Sequence, residues 1–227
     1  MKNLTDFFDR VFVINCAHRP DRLESVTEEL LKDGMADLDK VIFFPAIIGD
    51  YVTHPHDWRA GNGSWGCLQS HRRILEDVLH ERDKDEEVIP QSILVIEDDA
   101  VFTPGAKKRL NHFMSVVPPD WGQIYLGGQH QKATEDTGVD GVVLGVSVNR
   151  THAYAVNKPV YQQVYRHISF MSDYRGTHKH VDHQLELAHR RKDWKVYCPD
   201  KWLVGQAAGT SNVSGRMDDE RFWMKNH

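Results

Sequence analysis

The stretch SILVIEDDAVF, residues 92–102, decides the fold. Its first half, 93–96, is a short apolar run with three β-branched residues, which is typical of a buried strand. The strand leads directly into three adjacent carboxylates, Glu97, Asp98 and Asp99. Ligands of open α/β sheets bind at the carboxyl ends of strands. The stretch therefore predicts a ligand site at the end of a buried strand.

Outward from this strand, helix and strand patterns alternate along the chain. This alternation predicts an α/β/α sandwich, Rossmann-like, with a mostly parallel central sheet. The 227 residues, 40% of them hydrophobic, suit a single domain over 1–227. We predict strands at 11–15, 41–44, 93–96, 123–126, 142–148, 153–156 and 194–197, and helices at 20–32, 64–82, 106–116, 158–170 and 182–191.

Two segments lack a clear pattern. Residues 127–140 are polar, and we expect them to form a mobile loop. The tail 205–227 has little periodicity, and such an end is either a functional lid or disordered. In the helix at 20–32, Pro20 opens the first turn, Leu23, Val26 and Leu30 form the predicted buried stripe, and Gly34 ends the helix.

Composition favours a soluble protein that stays in the cytoplasm. No run approaches the ~18 apolar residues of a membrane span, and the N-terminal MKNLTDFFDR lacks the apolar region of a signal peptide. The three cysteines, Cys16, Cys67 and Cys198, are far apart and show no metal-binding spacing. We therefore expect reduced thiols.

Charge is unevenly distributed within a net charge of −5. Residues 76–99 hold ten acids against two Lys/Arg, whereas residues 151–195 hold eight Lys/Arg against four acids, with six histidines. One interpretation is solvated surface. The other is a basic region beside an anionic ligand, such as a phosphate or a nucleic acid.

The three carboxylates need an explanation because neighbouring ionised acids repel each other. Strand alternation predicts that Glu97 and Asp99 point one way and Asp98 the other. A divalent cation removes the repulsion, and Mn²⁺ or Mg²⁺ binds carboxylate oxygens completed by substrate phosphates. The alternative is that one or two of these acids cap a turn or the next helix.

The segment INCAHRPDR, 14–22, leaves the first strand and enters a helix. A helix N-terminus attracts anions, and Arg19 and Arg22 add donors suited to a diphosphate or a base edge. The alternative is that Arg22 pairs with an acid one turn later and that Arg19 lies on the surface.

The segment GSWGCLQSHRRIL, 63–75, places a histidine in an apolar helix stripe. A buried His71 needs a hydrogen-bond partner, and such a residue is usually a satisfied core histidine. Gly63 and Gly66 permit close backbone approach at the helix start, beside Ser70. This combination fits a helix whose beginning touches a ligand.

In this order and spacing, the three segments resemble glycosyltransferase family 25. The matching residues are Ile14-Asn15 with 19–22, 66–71 and 96–99. Weaker matches follow at 152–164, 181–185 and 205–213, so the resemblance spans about residues 10–213. Asn212 stands where the family pattern suggests an acid, which leaves the role of that last segment open.

The resemblance implies a GT-A fold and transfer of a sugar from a nucleotide diphosphate donor, often a UDP-sugar, with inversion and with Mn²⁺ or Mg²⁺. The acceptor would be a glycan or protein hydroxyl. Carried over by position, Glu97, Asp98 and Asp99 form a DxD-like metal site. Asp99 would bind the metal, Glu97 or Asp98 would complete the shell or touch the ribose, Asn15, Arg19 and Arg22 would face the nucleotide, and Ser70 and His71 would line the donor side.

Inversion also requires a base near the acceptor hydroxyl. Asp182, which opens a predicted helix, is the candidate base, and a helix cap is the alternative. Gln206 is a candidate donor contact from the tail. Trp58 and Trp65 suit either sugar stacking or the core.

Three other functions remain open at this stage. They are transfer to a hydroxylated base of a nucleic acid, a metal-dependent phosphohydrolase, and a non-catalytic binder of sugar nucleotides or glycans.

Overall fold

The computed structural model describes residues 1–80, 89–169, 180–210 and 217–218. Its elements follow the predicted alternation. In chain order they are α1 (Leu4–Phe7), β1 (Arg10–Asn15), α2 (Pro20–Leu31), β2 (Val41–Pro45), α3 (Asn62–His80), β3 (Ser92–Glu97), β4 (Ala100–Phe102), α4 (Ala106–Val116), β5 (Gln123–His130), β6 (Glu135–Asp136), β7 (Val142–Leu144), β8 (Val148–Asn157), α5 (Tyr161–Ser169), α6 (Val181–Arg191), β9 (Val196–Pro199), β10 (Val204–Gln206), β11 (Gly209–Thr210) and β12 (Met217–Asp218).

An eight-stranded mixed sheet forms the centre, in the order β2-β1-β3-β8-β5-β9-β7-β6. Strand β1 pairs in parallel with β2 and β3, and β5 pairs in parallel with β9. The antiparallel pairs all involve β8 or β7. These two strands therefore run against the other six, and the prediction of an α/β fold with a mostly parallel sheet is confirmed.

Helices cover both faces of the sheet, because side chains alternate along each strand. On β3, Ile93 and Val95 join one buried cluster with residues of α3, α5 and α6. Leu94 and Ile96 join a second cluster with residues of α1, α2 and α4. The sandwich therefore has two cores, and the acidic strand end lies between them.

Some predicted elements are wrong, for identifiable reasons. Strand β5 continues through Gly127 and Gly128 to His130, and residues 135–136 pair with β7, so 127–140 is not simply a loop. A Cβ on Gly127 would lie 2.2 Å from the carbonyl oxygen of Val204. These glycines therefore permit close packing within a strand, where the sequence pattern indicates a break.

Two further differences concern boundaries. The predicted strand 142–148 is divided by a bend, so that β7 ends at Leu144 and β8 begins at Val148. The predicted strand 194–197 begins two residues later, as β9. In α2, Val26 and Leu30 are buried but Leu23 is 36% exposed, so the predicted buried stripe is wrong at its first position.

The start of the predicted tail, 205–206, pairs with another strand. Strand β10 pairs antiparallel with β4, an element absent from the predictions, and Gln206 lies opposite Ala100. Residues 211–216 and 219–227 lie outside the described residues, so the expectation of a lid there, and Asn212 with it, stays a prediction. Across the described ranges, no helix has both the length and the apolar character that a membrane crossing requires.

Candidate functional site

A cavity of about 580 Å³ opens at the carboxyl ends of β1 and β3. Its wall joins segments that are far apart in sequence: the start of α2, the start of α3, the end of β3, the first half of β8 and the start of α6. Asn15 and Arg19 lie outside this wall. The predicted site residues in it are Arg22, Ser70, His71, Glu97, Asp98, Asp99, Asp182 and Gln206.

Asp98 is buried and joins the end of β3 to the loop after β1. Its Oδ2 accepts hydrogen bonds from Asn15 Nδ2 at 2.8 Å and from the Cys16 backbone N–H at 3.3 Å. Its Oδ1 accepts from Arg22 Nη1 at 2.9 Å. The partner of Arg22 is thus a strand-end acid, whereas the alternative interpretation placed that acid one helical turn later.

Asp99 lies on the same side as Asp98. Arg22 Nη1 is 3.6 Å from Asp99 Oδ2, and the Gln206 amide donates to both Asp99 oxygens at 3.2 and 3.3 Å. The predicted opposition of Asp98 to its neighbours is therefore wrong, because β3 ends at Glu97 and a turn follows. Burial, then the charge of Glu97, raises the pKa of Asp99 to about 7.

The pKa of Glu97 is shifted in the opposite direction to that of Asp99. Burial alone would raise the pKa of this carboxyl, but the hydrogen bond and charge of His71, with a hydrogen bond from Thr151, hold it well below its usual range. Thr151 Oγ1 donates to Glu97 Oε1 at 2.6 Å, and His71 Nε2 is 3.3 Å from the same oxygen. Neighbouring acids with oppositely shifted pKa values are typical of functional sites.

His71 is fully buried and has the partners that its position required. Its Nδ1 lies 3.0 Å from the Tyr154 hydroxyl, while Nε2 faces Glu97. Cys67, one turn earlier on α3, completes a group whose sulfur, ring nitrogen and carboxylate oxygen lie within 4.8 Å of one another. Burial raises the pKa of the Cys67 thiol well above its ordinary value.

Ser70 fixes the cavity wall. Its hydroxyl donates to the Gly66 carbonyl at 2.8 Å and accepts from the Ile47 N–H at 2.8 Å. A Cβ on Gly66 would lie 2.3 Å from the Ile47 carbonyl oxygen. The close approach that the sequence predicted for Gly66 is therefore made to the loop at 47–49.

Asp182 is the second residue of α6, and the N-cap position belongs to His180. Its Oδ1 accepts from the His183 N–H at 2.8 Å, and its side chain lies in the cavity wall with both histidines. Further along α6, Glu186 accepts hydrogen bonds from Ser147 at 2.6 Å and Asn149 at 3.0 Å, which fixes the helix to β8.

Strand β8 contributes three cavity residues that the sequence patterns do not indicate. Asn149, Arg150 and Thr151 line the cavity, and Arg150 has φ 75°, a left-handed conformation that is uncommon for any residue except glycine. The pairing of β5 with β8 shifts register beside this point. Strained backbone of this kind clusters at functional sites. No sequence pattern marks such a conformation in arginine.

Other candidates are placed away from the cavity. Arg19 forms a salt bridge with the exposed Asp21 at 2.7 Å, which agrees with the surface interpretation. Trp58 and Trp65 are buried with ring centroids 4.9 Å apart, and their N–H groups donate to the Gly61 and Thr53 carbonyls. These tryptophans therefore belong to the core.

The donor set fits a hard divalent cation. Glu97 and Asp99 present carboxylates to one cavity, and the pKa of Asp99 is raised by burial and then by the charge of Glu97, a repulsion that a cation would relieve. Asp98 is less suited, since its carboxylate is buried, is paired with the Arg22 guanidinium at 2.9 Å and also accepts hydrogen bonds from Asn15 and the Cys16 N–H.

Curated proteins with similar sequences share one family name. The human "inactive glycosyltransferase 25 family member 3" is 31% identical over 169 residues, which cover 66% of this chain and 27% of that protein. "Procollagen galactosyltransferase 1" of Danio rerio is 31% identical over 136 residues, covering 53% of this chain and 21% of that protein. The mimivirus "procollagen lysyl hydroxylase and glycosyltransferase" is 32% identical over 138 residues, covering 52% and 15%.

The chain thus spans about a quarter or less of the length of these relatives. No family model matches it. Among solved structures, a glycosyltransferase involved in glycosylation of the major capsid of PBCV-1 shares 9% identity, with a TM-score of 0.40 over 79% of this chain and 74% of that one.

Proposed function

The chain is related in sequence to glycosyltransferase family 25, as its motifs predict, and on that premise we propose that it is a metal-dependent inverting glycosyltransferase. The proposed donor is a nucleotide diphosphate sugar, with a UDP-sugar as the first candidate. The proposed acceptor is a hydroxyl group of a glycan or a protein.

One observation carries this proposal. A single cavity of about 580 Å³ has an acidic wall at Glu97 and Asp99, with basic side chains of Arg22 and Arg150 beside it and the carboxylate of Asp182 in the same wall. The volume falls in the range of small-molecule sites. The arrangement provides for a cation, for an anionic diphosphate and for a proton acceptor.

The charged side chains of the cavity wall indicate where the sugar donor would bind. Arg22 and Arg150 would contact the diphosphate, since a guanidinium matches phosphate oxygens. Glu97 and Asp99 would hold Mn²⁺ or Mg²⁺, which when bound stabilises charge on a leaving diphosphate. Gln206, which donates to Asp99, would keep that carboxylate oriented towards the cavity.

The acceptor would bind beside the start of α6. Asp182 would accept the proton of the attacking hydroxyl, because inversion requires a base on the face opposite the leaving group. His180 and His183 lie in the same wall and would contact the acceptor. A nucleic-acid acceptor is less well supported, because the net charge of −5 opposes non-specific attraction to phosphate backbones.

Thermal stabilisation against a panel of nucleotide sugars, with and without Mn²⁺, tests the proposal. A ligand at about 100 times its Kd stabilises the folded state by about 2.7 kcal/mol. For a chain of this size, that corresponds to a rise in melting temperature of roughly 5 °C or more. We expect one nucleotide sugar to raise the melting temperature only when Mn²⁺ is present, and we expect the Asp99→Asn variant to lose this rise. UDP should be released only when an acceptor is supplied.

A non-catalytic sugar-nucleotide binder is the second candidate, because several relatives carry the word "inactive" in their names. Both candidates predict the same donor-dependent shift in melting temperature. Only the transferase releases UDP on addition of an acceptor, so turnover with a panel of glycans and peptides separates the two.

A further inference from the structure

The side chains of Cys67, His71 and Glu97 form a ligand set that differs from the carboxylate pair described above. We propose that these three residues are a second cation site in the cavity wall, suited to Zn²⁺ or Co²⁺. The site combines a thiol, an imidazole and a carboxylate, three of the ligand types that Zn²⁺ takes in proteins.

The positions of the ligand atoms support this assignment. His71 Nε2 and Glu97 Oε1 are 3.3 Å apart. Two ligands of a tetrahedral zinc ion, with bonds of about 2.0–2.2 Å, are roughly 3.4 Å apart, so this pair already has the required spacing. Cys67 lies four residues before His71 and therefore on the same helix face, and all three ligand atoms lie within 4.8 Å of one another. A rotation of the Cys67 side chain would complete the set.

His71 and Glu97 each have a hydrogen-bond partner that supports them as ligands. Tyr154 Oη lies 3.0 Å from His71 Nδ1, and a proton donated from Nδ1 to this hydroxyl leaves the Nε2 lone pair for a cation. Thr151 donates to Glu97 Oε1 at 2.6 Å. Metal-binding histidines and carboxylates usually have such partners, which fix ring tautomer and orientation.

The proposed ion can reach the site, and the ligands select its class. All three residues line the cavity, which supplies an entry path and room for water in the fourth position. A thiolate favours softer cations, whereas Mg²⁺ and Mn²⁺ favour all-oxygen shells. On binding, the Cys67 thiol would release its proton to solvent and bond to the ion as thiolate.

Glu97 belongs to both this set and the carboxylate pair with Asp99. Zn²⁺ would therefore compete with Mn²⁺ or Mg²⁺ and inhibit sugar transfer. This consequence rests on the proposed function. The cation site itself does not, and the two are tested by different measurements.

Titration of CoCl₂ into the metal-free chain, under reducing and anaerobic conditions, tests the site. We expect a near-ultraviolet thiolate-to-Co²⁺ absorption band that saturates at one equivalent. One equivalent of Zn²⁺ should abolish the band, and one equivalent of Mg²⁺, which does not favour a thiolate, should leave it unchanged.

Four variants test the contributions of Cys67 and Tyr154 to the site. Cys67→Ala and Cys67→Ser should lose the band, whereas Cys16→Ala, which removes another thiol of the same cavity wall, should keep it. Tyr154→Phe, which removes only the hydroxyl near His71, should weaken Zn²⁺ binding by roughly 10- to 100-fold. The proposal is overturned if the unmodified chain shows no band, if the band persists without the Cys67 thiol, or if Cys16→Ala abolishes it.

Discussion

Arg22 donates a hydrogen bond to Asp98 across 2.9 Å, although the two residues are 76 positions apart. The pair fixes the first turn of α2 to the end of β3, and both side chains are at least 86% buried. An ion pair so shielded from water depends on both partners, because either charge left alone would be buried without compensation.

We therefore expect Arg22→Ala to lower the free energy of unfolding by about 3 kcal/mol, measured by urea denaturation. Arg19→Ala is the matched control, because Arg19 begins the same helix but pairs with the exposed Asp21. That control should change stability little. Equal losses in both variants would show that the Arg22–Asp98 contact does not stabilise the fold.

Asp99 predicts an unusual pH dependence of stability. Its pKa is about 7 in the folded chain, against about 3.9 in an unfolded chain. Between these values the folded state holds a proton that the unfolded state releases, so the contribution of Asp99 to stability falls as pH rises from about 4 to about 7. Without added metal, the free energy of unfolding of Asp99→Asn should therefore rise by on the order of 1–3 kcal/mol, relative to that of the unmodified chain, when the pH is raised from 5 to 8.

Melting temperatures at these two pH values measure that difference. Asp21→Asn serves as the control, because the pKa of Asp21 is lowered by Arg19 to about 2. The Asp21 carboxyl is ionised in both the folded and the unfolded chain between pH 5 and pH 8. It should therefore not change how the melting temperature depends on pH. A constant gap between Asp99→Asn and the unmodified chain would contradict the assigned protonation state.

Asp182→Asn tests the proposed base. The substitution should lower kcat for sugar transfer by roughly 10²- to 10⁴-fold, since the amide cannot accept the acceptor proton, and should leave donor affinity unchanged. Asp50→Asn removes another carboxylate of the cavity wall, one that accepts from Asn62 Nδ2 at 2.6 Å, and should retain turnover. Full activity of Asp182→Asn would remove this residue from the mechanism.

Gly66→Ala tests the packing of the cavity wall. The added Cβ would lie 2.3 Å from the Ile47 carbonyl oxygen and 2.7 Å from Gly49 N, so α3 and the loop at 47–49 must separate. We expect a loss of about 1–3 kcal/mol of stability by urea denaturation, together with weaker donor binding. Cys67→Ala, at the next position of the same helix, should cost less, and a larger cost there would contradict the clash.

Local patterns were a good guide to elements and a poor guide to their pairing. The helix predicted at 106–116 is Ala106–Val116, because its apolar spacing is a property of adjacent residues. The pairing of β4 with β10 joins residues about a hundred positions apart. Nothing within either three-residue segment specifies this partner.

The candidate site shows the same division. Glu97 and Asp99, selected from the end of a strand, line one cavity, and so do His71, selected from a helix pattern, and Gln206, selected from the tail. The part played by Arg150 was not predictable, because its left-handed backbone arises from a register shift between two paired strands.

The sequence by itself determined the alternation of helices and strands and the presence of three acids at the end of β3, since both depend on the order of neighbouring residues. Only the tertiary structure decided how those acids differ. Asp98 is fixed by Arg22 and Asn15. The pKa of Glu97 is lowered beside His71, whereas the pKa of Asp99 is raised to about 7. The reason is physical. The charge state of a carboxyl group depends on its burial and on its neighbours in space, and here those neighbours come from distant segments of the chain.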